Sequence, residues 1–224
     1  MGSIEIIKQI PAPGRGPVGL AFDGRYLWNT DYSSGKITRI DPETGEEDIV
    51  LVCPGNLSGL AWDGRHLWQS LYDGGTLRRI NPETNDFDQT IMVWEHGWLS
   101  GVAWDGEQLW ALSQQHGKLF AIDQESGEVI RTIPAPAAGG GLDFHDGSLW
   151  TGFPYPMRFN QELEQFEWEE ENQQFALVRL DPADGRELAR YPLDFVPMGL
   201  AWVADTLWLS HLVAGELVQV RLSG

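Results

Sequence analysis

With 33 acidic against 15 basic residues in 224, a formal charge of −18, the chain repels phosphate backbones and lacks the basic stripe that nucleic acid or an anionic membrane surface requires. Its one cysteine, Cys53, excludes an intramolecular disulfide and a Cys-rich zinc site and fits a reducing compartment, so the cytoplasm is expected. No run of about 18 apolar residues is present to span a bilayer, and no basic segment followed by an apolar stretch marks secretion.

The first element in the chain is an apolar stretch, Ile4-Glu-Ile-Ile-Lys-Gln-Ile-Pro-Ala-Pro13, which echoes Val129-Ile-Arg-Thr-Ile-Pro-Ala-Pro136 far downstream. One phrase then recurs five times: Gly19-Leu-Ala-Phe-Asp23, Gly59-Leu-Ala-Trp-Asp63, Gly101-Val-Ala-Trp-Asp105, Gly141-Leu-Asp-Phe144 and Gly199-Leu-Ala-Trp202. Nine residues after each glycine comes the tryptophan of a Leu-Trp pair: Trp28, Trp68, Trp110, Trp150 and Trp208. The spacings of 40, 42, 40 and 58 are the same from glycine or from tryptophan, so two markers agree on the register.

Turn chemistry divides each unit into strands a to d. Asp23-Gly24, Asp63-Gly64, Asp105-Gly106 and Asp146-Gly147 suit tight hairpins between strands a and b. Asp41-Pro-Glu-Thr-Gly45, Asn81-Pro-Glu-Thr84, Asp123-Gln-Glu-Ser-Gly127 and Asp181-Pro-Ala-Asp-Gly185 suit turns between c and d. No repeat shows sustained helical periodicity. The chain reads as one all-β domain over residues 1–224, a five-bladed β-propeller of four-stranded antiparallel blades.

Within strand a, Leu20 and Phe22 share one face and Gly19 and Ala21 the other, so a bulky face is expected to meet a small one between blades. The aromatics Phe22, Trp62, Trp104, Phe144 and Trp202, with the five Leu-Trp tryptophans, are read as that packing. The fourth unit carries about 17 extra residues between strands b and c, around 154–174, which fit either a short amphipathic helix or an extended hairpin. The fifth unit stops short of its strand d. Residues 4–10 are expected to supply it by pairing with 215–222, closing the ring.

In such a meander the a–b and c–d turns share one rim, and the b–c loops and d–a crossovers share the other. The second rim varies from blade to blade, which is where function is usually placed. It contains Asp31, Tyr32, Tyr72, Asp73, Glu95, His96, Trp98, His116, Arg158 and His211. His96 beside Glu95 is the expected acid–base pair, with His116 and His211 as alternates. The same four residues suit a divalent metal, and Asp31 with Asp73 and backbone carbonyls suit calcium or magnesium. His66 and His145 flank a–b turns on the opposite rim and are set aside.

The combination Gly-Leu-Ala-x-Asp-Gly, Leu-Trp and Ile-Asp-Pro-x-Thr-Gly resembles the glutamine cyclotransferase family, the papaya-type glutaminyl cyclases, and more distantly streptogramin lyases and NHL-like propellers. The resemblance spans nearly the whole chain and implies five blades, closure by the N-terminal strand, and a pocket at the channel mouth. It implies a catalytic glutamate where this sequence has Asn29, and an aromatic-rich stretch at Trp150-Thr-Gly-Phe-Pro154, which lacks the second tryptophan; Gln69 and Tyr72 match in part. The leading expectation is a monomeric small-molecule or peptide enzyme or binding protein, with Asn29, Asp31, Tyr32, Gln69, Tyr72, Asp73, Trp98, Phe153 and Arg158 about the ligand. The alternatives are a non-catalytic platform for a basic partner and a metal-dependent lyase or hydrolase.

Overall fold

The structure is a computed structural model that describes residues 2–72, 74–135, 139–153, 157–160, 165–168, 174–195 and 197–223, with the backbone alone for 157–160 and 165–168. Five four-stranded antiparallel sheets form the blades of a propeller. Blade one runs Pro17–Phe22, Leu27–Asp31, Lys36–Ile40 and Glu47–Val52, and the later blades repeat that order. In blade five, strand d is Ser3–Pro11, which pairs antiparallel with Glu216–Ser223 in the register Ile4 to Leu222 through Ile10 to Leu217. The ring is therefore closed by the N-terminal strand, one residue wider at either end than expected. Among the described residues no helix is long and apolar enough to cross a membrane. The blade-four excess contains paired strands, Met157–Asn160 and Gln165–Trp168, which selects the hairpin of the two forms open to the sequence.

The apolar core is divided among the five blade interfaces. At the interface of blades one and two, Ala21 and Trp28 pack with Leu60 and Leu67, and Trp62 covers them. Ala61 meets Trp104 at the next interface, Ala103 meets Phe144, and Ala201 meets Phe22 where the ring closes. The small-against-bulky pattern is thus the rule between blades, because close packing leaves no room for two large residues at the same level.

The recurring glycines have a sharper cause. A Cβ on Gly19 would lie 2.5 Å from Ser58 O, one on Gly59 would lie 2.6 Å from Gly101 Cα, and one on Gly101 would lie 2.8 Å from Gly141 C. On Gly199 it would strike Val18 O. Each strand a has its backbone against that of the next blade, so only glycine fits at the waist of the channel.

The two sequence markers of each unit are also joined to one another. Asp105 Oδ1 accepts the backbone N–H groups of Glu107 and Gln108, both at 2.8 Å, while Oδ2 accepts Trp110 Nε1–H at 2.7 Å. Asp23 holds Trp28 and Asp63 holds Trp68 in the same way, each at 2.8 Å. One carboxylate thereby caps the a–b turn and satisfies a buried indole. Burial alone would raise the Asp105 pKa, but these donors bring it below the usual carboxylate value.

Candidate functional site

The rim of b–c loops and d–a crossovers gathers some of the expected residues and separates others. At the boundary of blades two and three, Tyr72 stacks on Trp98 with centroids 5.9 Å apart and planes 21° from parallel. A short 3₁₀ turn, Trp94–His96, carries Glu95 and His96 into the same crossover. It ends at Gly97, whose φ of 73° only glycine adopts freely and whose added Cβ would lie 2.8 Å from His116 Nε2. Tyr72, Glu95, His96, Trp98 and His116 therefore belong to one neighbourhood.

Two of these five face outward. Glu95 and His96, with Met92, Val93, Trp94, Gly127 and Val129, line a groove of ≈ 520 Å³ whose walls come from outer strands, and His96 lies on the Phe120 ring at 4.2 Å. The groove runs along the flank between blades two and three. The sequence placed this pair beside the channel; the length of the crossover carries it to the outer edge instead.

The other expected residues are distributed around the ring. Asp31 organises the b–c turn of blade one, accepting Gly16 N–H at 2.8 Å, Ser33 N–H at 3.1 Å and Ser34 Oγ–H at 2.5 Å. Tyr32, next to it, is 53% exposed. Phe153, partly buried against the core between blades three and four, has the Arg190 guanidinium 4.4 Å above its ring. His211 in blade five stacks on Phe195 at 4.2 Å, and burial lowers its pKa against the opposing pull of Glu216 and Asp194. Asp73 and the Arg158 side chain lie outside the described residues.

Asn29 and Gln69 are inside the fold. Gln69 is fully buried; its Nε2 donates to Gly59 O at 2.7 Å and its Oε1 accepts from Thr30 Oγ1 at 2.9 Å. Asn29 Nδ2 donates to Gly19 O at 3.0 Å. Strand a departs from regular pairing next to each of these glycines, and the amides serve the backbone groups left over there. Ser70 and Thr151 do the same, with Ser70 Oγ accepting Gly59 N–H at 2.8 Å and Thr151 Oγ1 donating to Gly141 O at 2.9 Å.

The expectation of a metal held by the three histidines and Glu95 needs correction. Among the described residues no three His, Cys, Asp or Glu side chains gather as a ligand set would, and Glu95, His96, His116 and His211 do not form one. His211 stands in blade five, while the other three stand at the boundary of blades two and three.

The opposite rim contains a feature the sequence reading passed over. A pocket of ≈ 190 Å³ lies at the a–b mouth of the channel, lined by Phe22, Trp62, Trp104, Phe144 and Trp202 together with Asp143 and His145. Asp143 stands where Gly-Leu-Ala-x has alanine in four units. The signal was visible in Gly141-Leu-Asp-Phe144, where a carboxylate replaces a methyl inside an interface. Its Oδ1 accepts Phe144 N–H and its Oδ2 accepts Trp202 N–H, both at 2.8 Å. Burial nonetheless pushes its pKa up to about 7.

No protein-family model matches the sequence, and a comparison with curated protein sequences finds no match. The fold is similar to that of Myxococcus xanthus glutaminyl cyclase, with a TM-score of 0.76 at 16% identity over 99% of this chain and 97% of that one. It is also similar to Kuenenia stuttgartiensis hydrazine synthase, with a TM-score of 0.55 at 16% identity over 90% of this chain and 57% of that one. At these identities the likeness is one of architecture.

Proposed function

We propose that the chain binds a small molecule or a peptide terminus at the b–c/d–a face over blades two and three, in the manner of a glutamine-cyclotransferase-like propeller. The observation that carries this reading is the stacked pair Tyr72 and Trp98 at one crossover with His116 beside it, and with Glu95 and His96 on the outer edge of the same crossover. A stacked aromatic pair beside convergent polar groups is the usual composition of a ligand site. The blade-four hairpin, which joins strands b and c, belongs to the same rim.

In its sharpest form the reading is cyclisation of an N-terminal glutamine. The α-amine nitrogen attacks the side-chain amide carbon, a C–N bond forms, the amide C–N bond breaks, and ammonia leaves with the proton the amine gave up. Asn29 cannot move that proton, since an amide neither gains nor loses one in this range. The role passes to Glu95, His96 and His116, which are of the right chemical types.

The test is incubation with a glutaminyl peptide, reading ammonia release and peptide binding together. Turnover or saturable binding that is lost in both His96→Ala and His116→Ala supports the site. A protein that neither binds nor cyclises the peptide, or whose variants behave as wild type, removes it.

A second reading rests on a separate observation. The flank beside this crossover exposes Trp94 at 68% and Met92 at 56%, two large apolar side chains lining one groove. This favours a protein partner on the outer strands. Met92→Ala would weaken capture of such a partner, read by pull-down with the purified protein, and an unchanged capture removes this reading.

A further inference from the structure

The pocket at the a–b mouth of the channel contains a half-buried acid without a counter-charge. Among the described residues its lining includes no lysine or arginine. Among the described residues Asp143 forms no ion pair, and its two oxygens take only the backbone N–H groups of Phe144 and Trp202. Each carboxylate oxygen has two lone pairs, so accepting capacity remains. Carboxylates withdrawn even partly from water are normally paired, because a charge that loses hydration needs compensation.

The walls around this acid suit one kind of partner. Five aromatic side chains, one from strand a of each blade, ring the pocket, and the faces of such rings attract cations within about 6 Å. Strand a is the edge strand of each described four-stranded sheet and pairs there with strand b. The Trp202 N–H, which would attract an anion, is occupied by Asp143. His145 lies flat on Trp202 with centroids 4.2 Å apart and planes 11° from parallel. Burial lowers the pKa of this imidazole, ahead of the opposing pull of Asp146 and with the help of Arg179, so it brings no competing positive charge at neutral pH. The glycine waist lies three residues before the aromatic ring and two before Asp143 along strand a, where backbones of successive blades touch. At ≈ 190 Å³ the space is below the roughly 300–1,000 Å³ of sites for drug-sized ligands, which suits a head group.

We propose that this pocket is a binding site for a small alkylammonium group, with the Asp143 carboxylate as counter-charge and the five aromatic rings around its methyl or methylene groups. It is distinct from the face proposed above and separated from it by the glycine waist. Asp143, where the other blades have alanine, is thus the specificity-determining residue. Its proton and the ligand compete for the same carboxylate, and His145, Asp146 and Arg179 are the other ionisable groups around it.

The test is a titration of the whole protein with methylammonium and tetramethylammonium chloride, against sodium and calcium chloride at matched ionic strength, reading tryptophan fluorescence. The expected result is a saturable change at pH 8 that weakens by on the order of tenfold or more at pH 5.5, as protonation removes the counter-charge. It should disappear in Asp143→Ala, which carries the residue of the other four blades, and in Asp143→Asn, which retains an acceptor for Trp202 N–H. Circular dichroism checks that both variants fold. No saturable response to either ammonium salt, a response in the two variants equal to that of the wild type, or the same response to sodium or calcium each overturns the proposal.

Discussion

Blades one to three and blades four and five solve the same packing problem with different means. In the first group an aspartate clasps both the a–b turn and the indole of the Leu-Trp pair. In blade four the clasp position is His145, and Trp150 Nε1 reaches only a backbone carbonyl at 3.4 Å. In blade five it is Val203, and the buried Trp208 Nε1 has no partner among the described residues. Both of these tryptophans are nevertheless buried, at 5% and 0% exposure. Apolar contact is therefore sufficient to seat the ring, and the clasp supplies added stability and a fixed turn. The same region that lacks the clasp also carries Asp143, the pocket histidine and the inserted hairpin. The repeat is relaxed where other features were placed.

The largest expected effect tests what the two groups share. Gly59→Ala and Gly199→Ala each push a methyl into the backbone of the next blade and should cost about 3–5 kcal/mol in either group, measured by denaturant unfolding. Gly106→Ala, whose Cβ would meet nothing within 4 Å but whose φ is 102°, should cost only about 1 kcal/mol. Equal losses at all three positions would mean that the waist is not tightly packed.

Next comes the clasp itself. Asp105→Ala leaves Trp110 Nε1 and two turn amides without their acceptor and should cost about 2–3 kcal/mol in the same measurement. A loss under half of that would reduce the clasp to decoration.

Asp143→Asn probes the relaxed region through pH. The Asp143 pKa is about 7 in the folded chain, above its ordinary value of 3.8, so the native state retains a proton that the unfolded chain has released. Wild-type stability should therefore fall as pH rises from about 4 to 7, and the Asn variant should lack that fall. At pH 8 the variant is expected to be more stable by roughly 1–2 kcal/mol, less than the full linkage because the amide accepts a weaker hydrogen bond from Trp202 N–H. Parallel pH profiles for the two proteins would show that the carboxyl is not enclosed.

The smallest effect is a gain. Val203→Asp installs the missing clasp five residues before Trp208, the spacing at which Asp23, Asp63 and Asp105 act. It should add about 0.5–1 kcal/mol and shift the Trp208 indole N–H resonance downfield. No shift would mean that the blade-five turn has a different geometry.

The fold was legible from the sequence because repetition states the same local physics five times. A glycine, a small residue, an aromatic and a turn aspartate each meet the same surroundings in successive blades, so their spacing alone specifies strands, order and closure. The site was less legible, and particular residues show why. Gln69 and Asn29 are polar residues near variable loops, yet they serve strand-a backbone groups that an irregular register leaves over. Glu95 and His96 are on the anticipated rim but are carried outward by the crossover.

What the sequence determined by itself was everything that depends on neighbours along the strand: five blades, the turns between their strands, and the N-terminal strand completing the last sheet, its bounds within a residue. What only the tertiary structure decided was which side chains meet across blades. The glycine waist, the aromatic ring about Asp143 and the distribution of the histidines around the ring all depend on distances between residues some 40 positions apart. Periodicity establishes that such residues are equivalent, but only packing sets which of their atoms come within reach.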